Sequence, residues 1–116
     1  MGTNNGGIME KIYILRQDLY NEWAIENGAT NLITATPNIK NLIEKLKKYC
    51  LYELEEDGER IIEDLDLKLD DIIERVKNNL ERGSNLEKIS IYENKRDYDN
   101  GIDNAVFVIE KIDIEL

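Results

Sequence analysis

The four residues Val106-Phe107-Val108-Ile109 restrict the fold more than any other part of the sequence. They lie in an alternating segment, Ala105 to Glu115, yet put apolar side chains on both of its sides. A strand with one wet face alternates apolar with polar residues, so a strand apolar on both sides belongs in the middle of its sheet. Further along, Ile112 and Ile114 continue the face of Val106 and Val108, interrupted by Glu110, while Phe107 and Ile109 hold the other face. Two more alternating stretches supply neighbours: Lys11 to Arg16 sets Ile12 and Ile14 against Tyr13 and Leu15, and Lys88 to Glu93 places Ile89 and Ile91 together. Leu32 to Ala35 reads as the return strand of a hairpin that starts at Glu22 to Ile25 and turns at Asn27-Gly28, a preferred two-residue turn.

The middle of the chain changes period. Thr36-Pro37 combines an N-capping residue with a proline at the first helical position. Ile39, Leu42, Ile43, Leu46 and Tyr49 then follow the spacing of a helix running from Pro37 to Tyr49. Residues 50–65 fit either a helix broken near Asp57-Gly58 or a hairpin turning there, and their Glu and Leu content favours the helix. Asp66-Leu67-Lys68 is a tight break. After it, Leu69, Ile72, Ile73, Val76 and Leu80 mark a helix that reaches Arg82 and stops at Gly83. Lys95 to Asn104 reads as a polar hairpin loop. Strands at both ends and helices within residues 37–82 predict an α+β fold, a small antiparallel sheet with two or three helices packed on one face. Residues 9–116 form one expected domain, and residues 1–8 read as a leader or disordered tail.

Composition then removes several functions. The chain has no His, which eliminates imidazole acid–base chemistry, serine–histidine and cysteine–histidine nucleophiles, and histidine-ligated zinc. A single Cys50 permits no internal disulfide and suits a reducing cytoplasm. Apolar runs are too short for a membrane span. Asp64-Leu-Asp66-Leu-Lys68 and Asp97-Tyr-Asp99-Asn-Gly101 begin like calcium loops, but Lys68 stands at a ligand position in the first and Gly101 comes one place early in the second. No metal, cofactor or enzymatic activity is expected.

The net charge of −10 points away from nucleic acid and anionic membranes as direct partners. That charge is concentrated, because residues 53–74 hold 11 acids against Arg60 and Lys68. Lys40, Lys45, Lys47 and Lys48 face only Glu44 in the preceding helix. Such a field steers a basic protein into contact. The expected surface comprises Glu55, Glu56, Asp57, Glu59, Glu63, Asp64, Asp66, Asp70 and Asp71, against the alternative of a solvated face kept acidic for solubility. The function this favours is a non-enzymatic inhibitor of a basic partner: a toxin immunity protein or a phage- or mobile-element-encoded anti-defence inhibitor, with DNA mimicry as the extreme form. The other reading is a homo-oligomeric module for a small ligand such as a nucleotide signal, with Arg16, Trp23 and Arg96 as stacking and anion contacts. The sheet face carrying Phe107, Ile109, Tyr13 and Leu15 is expected to lie uncovered and to form a homodimer, the alternative being that residues 50–65 wrap over it and bury it within one chain.

Overall fold

The last strand of the chain is the centre of its sheet. In the computed structural model, which describes residues 9–19, 30–56, 58–103 and 105–115, the elements run β1 (Met9–Leu19), β2 (Thr30–Thr36), α1 (Ile39–Glu56), β3 (Ile61–Ile62), α2 (Leu69–Glu81), β4 (Leu86–Tyr92), α3 (Lys95–Asp99) and β5 (Ala105–Glu115). The strands form one five-stranded antiparallel sheet in the order β2-β1-β5-β4-β3. The α+β class and the packing of helices against a terminal-strand sheet hold as expected. The hairpin at Asn27-Gly28 lies outside the described residues.

Registry decides which apolar face is the core. Leu15 pairs with Ile109 and Gln17 with Phe107 across β1 and β5, and Ile89 pairs with Phe107 across β4 and β5. This face meets Leu42, Leu46 and Cys50 of α1 and Ile72, Ile73, Val76 and Leu80 of α2 in one buried cluster. Phe107 is 0% exposed. The expectation that Phe107, Ile109, Tyr13 and Leu15 form a bare dimer face is therefore corrected, because those four side chains are what the helices cover. The larger aromatic and branched side chains fill the space under two helices better than valines do. On the opposite face Val106 and Val108 are buried, while Ile112 and Ile114 are 40% and 39% exposed.

Three local readings shift. Helix α1 begins at Ile39 and its cap is Asn38, whose Oδ1 accepts from the amides of Lys40 (2.9 Å) and Asn41 (3.2 Å). Thr36 still pairs with Tyr13 and is held extended, so its hydroxyl accepts from the Asn38 amide instead of opening the helix. The helix runs on to Glu56, and Gly58 follows in the left-handed region at φ 70°. Ile61 and Ile62 are strand, not the helix favoured above, because two β-branched residues find an open edge on β4 opposite Tyr92 and Ile91. Within the polar loop after β4, residues 95–99 form the short helix α3, capped by Asn94 Oδ1 accepting from the Asp97 amide. Tyr98 of that helix meets the ring of Tyr92 edge-on at 5.2 Å.

Two polar groups on the core face tie helices to the sheet. Gln17 Nε2 donates to Glu53 Oε1 of α1 (2.7 Å). Lys111 Nζ donates to the carbonyl of Leu80 near the end of α2, where a cation complements the helix dipole. If this face is the core, Phe107→Ala should lower stability by about 3–5 kcal/mol in denaturant unfolding, while Ile114→Thr should change it by no more than about 1 kcal/mol.

Candidate functional site

The acidic segment folds into three pieces, the end of α1, the stretch through β3, and the first turns of α2. The two helices run antiparallel. Lys47 Nζ of α1 lies 2.7 Å from Asp70 of α2, and Ile39, Lys40, Ile43 and Glu44 line a groove shared with Glu74 and Lys77. This arrangement sorts the acids into two groups.

The first group has partners within the chain, some buried and some at the surface. Glu53 accepts from Gln17 and from Arg60 Nη1 (2.8 Å), with both charged side chains mostly buried. Glu63 pairs with Arg75 at 2.5 Å, Asp64 Oδ1 accepts from the Asp66 amide at 2.9 Å, and Asp70 holds Lys47. The second group consists of Glu55, Glu59, Asp66, Asp71 and Glu74, which are exposed and make no ion pair among the described residues. Of the expected surface, Asp57 and the side chain of Glu56 lie outside the description.

The helix ends give the two groups different physical meanings. Asp70 and Asp71 occupy the first turn of α2, where the helix dipole favours anions, so they have a structural reason to be acidic. In α1 the order is reversed, with no acid in the first turn and no base in the last. Lys40 sits near its positive end and Glu55 near its negative end. Each such misplaced charge costs about 0.3–1 kcal/mol.

The three residues expected to contact a small ligand give that reading little. Arg16 is bound to Glu110 and also lies 3.4 Å from Asp18; the Glu110 hydrogen bond, above all, raises its already high pKa. Arg96 sits on the separate helix α3 beside Asp97, and Trp23 is outside the described residues. Among the described residues no three acids or thiols converge as metal ligands do. None of the helices there is long and apolar enough to cross a membrane.

A further feature is absent from the sequence reading. An open groove of about 490 Å³ runs between β2 and α1, lined by Thr34, Thr36, Asn41, Glu44, Lys45 and Lys48. The spacing of Asn41, Glu44, Lys45 and Lys48 along one helical stripe was the available signal, but it points to a groove only once β2 is known to lie beside it. Comparison with known proteins leaves the class at α+β: no protein family, no curated protein and no solved structure matches the chain.

Cys50, fully buried on the core side of α1, has its thiol pKa pushed well up, first by desolvation and then by the nearby Glu63 and Glu53 carboxylates. The native thiol holds its proton where the unfolded chain, at an ordinary 9.0, has lost it. Its stabilising contribution is thus complete below pH 9.0 and falls away as pH rises above it. Above that pH the wild type should lose about 1.4 kcal/mol per pH unit more than Cys50→Ala. Equilibrium unfolding of both proteins across the alkaline range checks this.

Proposed function

We propose that the protein is a non-enzymatic binding protein that inhibits a basic partner through the acids exposed around α1, β3 and α2. The observation that carries this reading is the inverted charge order of α1, which a helix selected only for stability would not keep. The docking surface consists of Glu55, Glu59, Asp66 and Asp71. Glu53 and Glu63 are committed to Arg60 and Arg75 within the chain and hold the fold, while Asp64 and Asp70 are engaged only locally or at the surface. A toxin, a nuclease or another DNA-handling protein of a defence system has the complementary charge, and carboxylates replacing phosphates is the form the interaction takes at its most extended. The lone buried thiol suits a reducing cytoplasm as the setting.

Stability and binding should respond to Glu55 in opposite directions. Glu55→Lys places a cation at the C-terminal end of α1 and should raise stability by about 0.3–1 kcal/mol. The same change, combined with Glu59→Lys, Asp66→Lys and Asp71→Lys, should abolish capture of a basic protein from the native host. Capture should also weaken steeply between low and physiological salt. Undiminished capture by the folded quadruple variant, or no basic protein retained by the wild type, would overturn the proposal.

Self-association belongs to the proposal, now through the other face of the sheet. Pairing of β2 with β1 begins at Tyr13, and pairing of β4 with β5 stops at Glu110. Among the described residues, 9–12 and 112–115 thus form a two-stranded ribbon whose Ile12, Ile112 and Ile114 share one side, continued by half-buried Ile14. Two-stranded ribbons are marginal alone and gain from apolar cover. A second copy packed ribbon to ribbon about a two-fold axis supplies it. Light scattering should give twice 13.5 kDa at micromolar concentration. Ile112→Glu with Ile114→Lys should return the monomer.

A further inference from the structure

We infer that the groove between β2 and α1 is a second binding site, which takes an extended acidic peptide as an added strand. This site is independent of the acidic surface. β2 is the terminal strand of the sheet, with β1 as its one strand neighbour among the described residues. Alternate backbone amides and carbonyls of such a strand point outward and are a template for a further strand.

The side chains beside that edge select the occupant. Thr34 and Thr36 share the face of Leu15 and Tyr13, the side on which α1 lies. Every second side chain of an added strand would therefore rise toward the α1 stripe, where Lys45 and Lys48 are exposed and make no ion pair among the described residues. Among the described residues Glu44 is the one acid lining the groove, against Lys45 and Lys48. The intervening side chains would fall on the other face beside Ala35 and Leu32, the latter 64% exposed. The register of β2 is bulged at Ile33, which packs against the core, so the complementary ligand is a short segment that alternates acidic with apolar residues beside the regular run of Thr34 to Thr36 and continues past the bulge toward Leu32. A second copy fits badly here. Antiparallel edge-to-edge pairing keeps both copies of α1 on the same side of the joined sheet, and would bring Lys45 and Lys48 toward their own images.

The probe is a fluorescein-labelled octapeptide of alternating Glu and Val, titrated with the full-length protein and followed by anisotropy in low salt. Saturable binding is expected, weakened at least tenfold by Lys45→Glu with Lys48→Glu in a variant whose circular dichroism is unchanged. N-methylation of alternate backbone amides in the peptide should abolish binding, because an added strand needs those donors. The Glu55, Glu59, Asp66 and Asp71 reversal variant should retain peptide binding, so the outcome is separate from that for the acidic surface. The inference is overturned by absence of saturable binding, by affinity that survives N-methylation on both amide sets, or by equal binding of a Lys–Val peptide. Equal retention of a single-stranded oligonucleotide would overturn it too, by showing plain charge attraction.

Discussion

The pairing of β1 with β5 is the constraint from which the rest of the structure follows. It extends through eleven positions, from Met9 opposite Glu115 to Leu19 opposite Ala105, and so joins the two ends of the described chain. Every other element lies in the loop that this pairing closes. Closing so long a loop is entropically unfavourable, and the enclosed helices and β4 must supply compensating contacts. The helices do so on the face where Phe107, Ile109, Leu15 and Ile89 meet both long helices. A topology dominated by such distant contacts belongs with the slower folders among small domains. The Arg16–Glu110 ion pair, 94 positions apart in sequence, bridges these two strands on the opposite face.

Charge is organised by a different logic from the core. In α2 Asp70 and Asp71 stand at the positive end of the dipole and Lys111 reaches the carbonyl of Leu80 near the other end, beside Glu81, so its first turn agrees with its fold and its last turn does so only through the sheet lysine. In α1 charge and fold disagree. The disagreement is affordable because α1 is held by Leu42, Leu46 and Cys50 in the core, and burial of three such side chains outweighs a terminal charge penalty below about 1 kcal/mol each. A helix anchored this firmly is free to carry charges for the sake of a partner.

How much of this could be read from sequence depends on the range of the interaction involved. The central place of β5 was legible, since Val106 to Ile109 advertises apolar residues on both sides within four positions. Which of its faces the helices would choose was not, because that choice depends on the register of Phe107 against Gln17 and Ile89, set by chain segments far away. Ile61-Ile62 was missed for want of length; two residues show no period, and only the open edge of β4 makes them a strand. Thr36-Pro37 looked like a helix start, but strand pairing with Tyr13 outweighed capping preference and passed that role to Asn38. The acidic segment was visible as composition. Its division into engaged and exposed acids was not, because Glu53 finds Arg60 and Glu63 finds Arg75 only after the chain has folded.

The two charged regions share α1, and this sets a condition on how they can act. Lys45 and Lys48 line the groove against β2, while Lys47, one residue away on another side of the helix, is occupied by Asp70 of α2. The α1–α2 seam therefore neutralises one lysine and leaves its neighbours available, and it places Glu74 in a shared groove with Lys40 and Lys77. Salt at physiological strength screens exposed charges over about 8 Å, so a ligand at the groove feels mainly Lys45, Lys48 and Glu44, and one at the acidic surface feels mainly carboxylates. One helix can thus present opposite signs to two partners without either field cancelling the other, provided that its buried stripe keeps both sides in fixed orientation.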